Sequence, residues 1–79
     1  MLGNQVDDMY ANDAVMRAES CCRENSIKVG PLLRVGQELR GQRRYWVVLF
    51  ESPIPDLDPG FITIDVDDET GDARPVMGL

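Results

Sequence analysis

The chain contains no histidine. Within one copy that excludes a Ser-His-Asp triad, a Cys-His dyad and any histidine-held metal. Cysteine is almost as scarce: Cys21 and Cys22 are adjacent, so they cannot staple distant segments as a secreted disulfide framework does, and they fit a reducing, cytoplasmic setting. The longest apolar run, Tyr45 to Phe50, is far shorter than the ~20 residues needed to cross a bilayer. The opening Met-Leu-Gly-Asn-Gln-Val-Asp-Asp lacks a basic leader and an apolar core, so no export signal is expected. Lysine occurs once, at Lys28, against seven arginines, a bias that fits a GC-rich bacterial source.

What the chain does have is room for one hydrophobic core. With 79 residues, 43% of them apolar, residues 1–79 are read as a single domain, and at about 0.05–0.15 kcal/mol per residue its stability is on the order of 4–12 kcal/mol. The net charge of −6 conceals a segregation. Residues 26–44 carry Lys28, Arg34, Arg40, Arg43 and Arg44 against Glu38 alone, whereas 51–72 carry eight acids and no base. Antiparallel neighbours of opposite sign would pair across a sheet. The overall acidity disfavours nucleic acid as a partner.

From Val6 the apolar and small residues recur at Val6, Met9, Tyr10, Ala14, Ala18 and Cys21, the three-four spacing of one helix stripe. The spacing predicts a helix over about 5–24, with Asn4 as N-cap, Asp7 and Asp8 at the positive end of the dipole, Arg23 at the other, and Asn25-Ser26 as the stop. Strands are expected at about 27–29, 33–39, 43–51, 61–67 and 72–76. Segment 43–51 is the strongest, with apolar residues at both parities, and reads as a central strand with one face against the helix and the other to be covered by loop, tail or a second subunit. Segment 61–67 alternates, with Ile62, Ile64 and Val66 on one face and Thr63, Asp65 and Asp67 on the other. The connector 52–60 holds three prolines, and Ile54 and Leu57 are expected to tuck against the core. The fold class that follows is α+β: one N-terminal amphipathic helix packed on a three- to four-stranded antiparallel sheet.

Three clusters invite chemistry. The acids Asp65, Asp67, Asp68, Glu69 and Asp72 suggest a calcium loop, but counting from Asp65 puts Thr70 where an EF-hand needs glycine and Val76 where it needs glutamate. A solvated hairpin tip explains them better, and no metal or cofactor is expected. Cys21 and Cys22 point about 100° apart on a helix, near the end whose dipole disfavours a thiolate, so core packing is the preferred reading. Trp46 with Arg43 and Arg44 could form a stacking platform, but an aromatic in a two-sided apolar strand is more often core.

The order helix, strand, Tyr45-Trp46-Val47-Val48, proline-rich loop, then Val66-Asp67-Asp68-Glu69-Thr70-Gly71 resembles small bacterial domains of the PepSY kind and immunity-protein families with cystatin-like or nuclear-transport-factor-like sheets. The likeness spans about the last 35 residues plus the helix position. It implies a binding or inhibitory module: one that occupies a partner toxin in the immunity families, one linked to protease inhibition or secretion in PepSY domains. No functional residue is carried over.

These observations lead to a small non-enzymatic, cytoplasmic protein-binding module. Its expected interface comprises Arg43, Tyr45, Val47, Asp65 and Asp67, and a homodimer across the exposed sheet face is a further expectation. The rival readings are an enzyme using the carboxylates Asp65, Asp67 and Glu51, and a structural subunit of a larger complex.

Overall fold

The structure, a computed structural model, describes residues 10–54 and 60–76. One helix, α1 (Ala11–Glu24), is followed by four strands: β1 (Leu32–Arg40), β2 (Arg43–Glu51), β3 (Phe61–Asp67) and β4 (Ala73–Val76). All four form one antiparallel sheet in the order β1-β2-β3-β4. The α+β arrangement expected from the sequence is the one observed.

Helix α1 starts later than its apolar spacing suggests. Tyr10 is extended, with φ −91° and ψ 161°, and is exposed rather than part of the buried stripe. Asn12 and Asp13 favour a first turn over a helix interior, which fits a start at Ala11. Asp13, not Asp7 or Asp8, is the acid of the observed first turn. Asn4, Val6, Asp7, Asp8 and Met9 lie outside the described residues.

The stop at Asn25-Ser26 is as expected. Ser26 takes φ 57°, its N–H donates to the Arg23 carbonyl at 3.2 Å, and the Ile27 N–H donates to the Cys22 carbonyl at 2.8 Å. Those two bonds make a Schellman motif, here with serine where glycine is usual.

Residues 27–29, expected as a strand, are not one. The Gly30-Pro31 step lets this segment join the sheet only at its end: Gly30 N–H donates to the Glu51 carbonyl at 2.6 Å, and Glu51 N–H donates to the Pro31 carbonyl at 2.8 Å. Ile27 and Val29 pack against the core from this linking stretch.

Ala14, Ala18, Cys21 and Cys22 of α1 lie against Val48 and Phe50 of β2 and Ile64 and Val66 of β3. Alanine at i and i+4 lets the helix backbone approach the sheet, and the four large strand residues supply the volume. Each such side chain contributes about 1.5–3 kcal/mol on burial. The interior strands are thus the two that the pattern marked most clearly. Ile54 does not join them: it is exposed, and its N–H donates to Ser52 Oγ at 3.2 Å in a local turn that leads the chain off the sheet. Leu57 lies outside the described residues. No described helix is long and apolar enough to cross a membrane.

Candidate interaction face

A sheet with period two has a second face, and the register fixes what stands on it. Opposite the helix, successive rows across the strands are Glu38, Tyr45 and Asp67; Gly36, Val47, Asp65 and Arg74; Arg34, Leu49, Thr63 and Val76; then Glu51 and Phe61. The face therefore grades from charged, near the β1–β2 turn, to apolar. Among the described residues no element packs over it. Phe61 and Val76 are each 43% exposed, and Val47 and Leu49 are half-buried by their neighbours.

At the charged end the opposite signs meet, as the segregation of charge along the chain predicted. Arg40 of β1 reaches across β2 to Asp65 of β3, with Nη1 donating to Oδ2 at 2.5 Å and Nη2 to Oδ1 at 3.4 Å. The same guanidinium donates twice to Glu38 Oε1, at 2.9 Å from Nε and 2.6 Å from Nη2, and its Cζ lies 5.0 Å from the centre of the Tyr45 ring. A planar five-donor cation suits this bridging place, and stacking on the ring holds it there. Arg43 pairs with Asp67, and more loosely with Glu69 at 3.9 Å. Arg40, Arg43, Tyr45, Asp65, Asp67 and Arg74 line a shallow basin of about 480 Å³.

Both carboxylates are nearly covered, Asp65 at 8% exposure and Asp67 at 7%. Asp67 also organises the β3–β4 turn: its Oδ1 accepts the N–H groups of Glu69 at 2.8 Å and Thr70 at 3.1 Å. Those backbone donors, the Glu69 N–H foremost, hold its carboxyl below the usual aspartate range against the opposing effect of burial, and Arg43 adds to the lowering. Arg40 is shifted upward chiefly by its hydrogen bond to Asp65, and Arg43 upward by the charge of Asp67.

All five residues expected at the interface, Arg43, Tyr45, Val47, Asp65 and Asp67, fall on this one face. The structure adds a distinction within the set. Asp65 and Asp67 form the floor, already engaged by arginines, while Arg40, Arg43, Tyr45 and Val47 are what an approaching molecule meets. Arg40, Leu49 and Phe61 were not singled out from the sequence. The parity of segment 43–51 placed Leu49 beside Val47, but nothing local marks an arginine at a turn as spanning two strands.

The other clusters are divided by the same register. Trp46 and Arg44 stand on the helix side and Arg43 on the open side, so the three do not form one platform. Trp46 is half-buried against the core, and its Nε1 donates to Asp68 Oδ1 at 2.8 Å. The carboxylate trio does not converge either. Glu51 shares the face with Asp65 but lies four residues along β2 from Val47, the cross-strand partner of Asp65, which is about 13 Å at strand rise.

Both thiols are buried in the core and free, and burial pushes each above its ordinary value. Cys21 Sγ donates to the Ala73 carbonyl at 3.5 Å. Among the described residues no three His, Cys, Asp or Glu side chains are grouped to hold a metal.

Comparison of the chain with protein-family models, curated proteins and solved structures found no match.

Proposed function

We propose that the chain is a small protein-binding module that engages a partner through the open face of its sheet, by surface complementarity and not by bond chemistry. One observation carries the reading: a sheet face that no described element covers joins the apolar side chains of Val47, Leu49, Phe61 and Val76 to an ion-paired Arg40–Tyr45–Arg43 cluster. Tyrosine and arginine are the residues over-represented in the centres of protein interfaces, and groups already fixed in ion pairs and stacking lose less freedom on binding. The resemblance of the Tyr-Trp-Val-Val strand and Val-Asp-Asp-Glu-Thr-Gly hairpin to immunity-type domains supports an inhibitory role, with the partner held and blocked. Buried, reduced thiols suit a cytoplasmic setting.

The test is capture by the immobilised full chain from an extract of its source cells, with mass spectrometric identification. The wild type is expected to retain a defined polypeptide that Leu49→Asp and Phe61→Lys both release while their circular dichroism stays native. A polypeptide held equally by all three chains would remove the open face from the interaction, and the retention of nothing would overturn the binding role.

A further inference from the structure

β1 is an edge strand whose outer side meets no other strand among the described residues. Nine residues of unpaired edge are a template for pairing, and proteins ordinarily blunt such edges. Beside the exposed charges of Arg34, Glu38 and Arg40, this one carries three exposed leucines, Leu32 at 44%, Leu33 at 53% and Leu39 at 67%. The geometry points to a second copy of the same strand as its partner: two chains joined antiparallel, β1 to β1, about a twofold axis through Gly36, giving one continuous eight-stranded sheet.

The sequence of β1 is complementary to its own reversal. Reading outward from Gly36, Val35 is matched by Gln37, Arg34 by Glu38, and Leu33 by Leu39. Antiparallel pairing about that glycine therefore sets each Arg34 opposite the other copy's Glu38, twice by symmetry, and each Leu33 opposite a Leu39. Arg34 has no ion-pair partner among the described residues. Glu38 receives both hydrogen bonds from Arg40 on Oε1, and its Oε2 takes none among the described residues.

Other registers lose this match. A shift of two residues one way faces Arg34 with Arg40, and the other way faces it with Gly36. Parallel in-register pairing brings like charges together.

The backbone has the matching phase. Glu51 directs both its N–H and its C=O toward the segment leading into β1, and alternation along β2 then turns Leu49, Val47 and Tyr45 the same way. Their partners Arg34, Gly36 and Glu38 accordingly point inward. Val35 and Gln37 are left with their N–H and C=O groups aimed outward, where Val35 of one copy meets Gln37 of the other. Gly36 falls at the non-hydrogen-bonded position on the axis, where strands approach closest, and space for a Cβ there is open. The bulge at the Leu32–Arg34 step ends the usable edge at Leu33, so the strand admits a short partner in one register.

Such a dimer differs from one stacked through the sheet faces. It leaves both open faces on the same side, so a partner would meet a doubled surface. It shares Arg34 and Glu38 with the open face but none of that face's apolar side chains, so variants of Phe61 and of Arg34 tell the two contacts apart.

Sedimentation equilibrium of the full chain from 10 µM to 1 mM tests it, with amide hydrogen exchange on the same samples. The wild type should approach twice its 8.9 kDa mass, with the Val35 and Gln37 amides protected in proportion to dimer. Arg34→Glu should raise the dissociation constant by roughly tenfold to a hundredfold, and adding Glu38→Arg should restore dimer, because the reversed charges again match. Phe61→Lys should leave the mass unchanged. A wild type that stays at 8.9 kDa throughout, an Arg34→Glu chain as dimeric as the wild type, or no recovery in the double variant would overturn the edge pairing. A dimer dissociated by Phe61→Lys would move the contact to the sheet face.

Discussion

Replacing Gly71 with alanine separates two reasons for a glycine in the β3–β4 turn. Its φ is 80°, where an L side chain costs about 1–2 kcal/mol. A Cβ built there would also lie 2.6 Å from Arg17 Nη1 and 2.7 Å from Arg17 Cζ. The arginine is exposed and can move, but moving it sacrifices the 3.5 Å bond from Nη1 to the Gly71 carbonyl, about 0.5–1 kcal/mol. Against these stands the reduced freedom of the unfolded chain, which favours alanine by about 0.4–1 kcal/mol. The sum is a loss of about 0.5–2.6 kcal/mol, or a melting temperature lower by about 2–20 °C for a domain of this size. Thermal unfolding followed by far-ultraviolet circular dichroism reads it. In an Arg17→Ala background the cost should shrink to the backbone part, and the difference measures the coupling. Gly36→Ala, with nothing within 4 Å of the new Cβ and no positive φ, is the control and should melt about 2–8 °C higher. A Gly71→Ala chain that melts at or above the wild type would refute this account of the turn.

Trp46→Phe leaves the covered Asp68 carboxylate without its indole donor and should cost about 1–3 kcal/mol, seen as a melting temperature lower by about 4–24 °C. Ser26→Gly relieves the positive φ of the helix C-terminus while keeping both Schellman bonds, and should raise stability by about 0.5–1 kcal/mol in urea unfolding. The Asp67 carboxyl is held below its ordinary value of about 3.9, so it binds protons more readily when unfolded. Its contribution is therefore fully present above that value and is lost as pH falls from about 4 through the lower folded-state value. Asp67→Asn should flatten the acid limb of a stability-against-pH profile and leave the slope above pH 5 unchanged.

Where a residue's role depends on its own neighbours in the chain, the sequence was informative. Strands β2 and β3 run over the residues that their hydropathy indicates, because apolar alternation and the flanking turn residues act locally. The helix stop at Asn25-Ser26 is local in the same way. The helix start was not legible, since Val6, Met9 and Tyr10 continue the apolar spacing while Tyr10 takes an extended backbone. Segment 27–29 has strand composition but lacks a pairing partner until Gly30 and Pro31 reach Glu51, a fact of register and not of propensity.

For the candidate face, parity groups Arg43, Tyr45 and Val47 within one strand and Asp65 and Asp67 within the next, and the register joins the two sets on one face. The pairing of basic with acidic stretches was foreseeable as well. That Arg40 spans a strand to reach Asp65, covering the carboxylates expected to be presented, required the order of strands in the sheet. The same order exposes β1 as an edge and gives its reversed charge pattern a meaning.

The account stands on the two faces of one sheet having different duties, and Val48 and Leu49 test that directly, being consecutive in β2 and on opposite faces. Val48 is fully buried against α1, so Val48→Asp places an unpaired charge in the core at a cost of about 4 kcal/mol or more, enough to abolish much of the fold. Leu49→Asp, on the open face between Arg34 and Thr63, should cost within about 1 kcal/mol. Urea unfolding of the two variants beside the wild type is predicted to show a collapsed transition for the first and a near-native one for the second. Equal losses for both, or a larger loss at Leu49, would contradict a sheet with one structural face and one face free to bind.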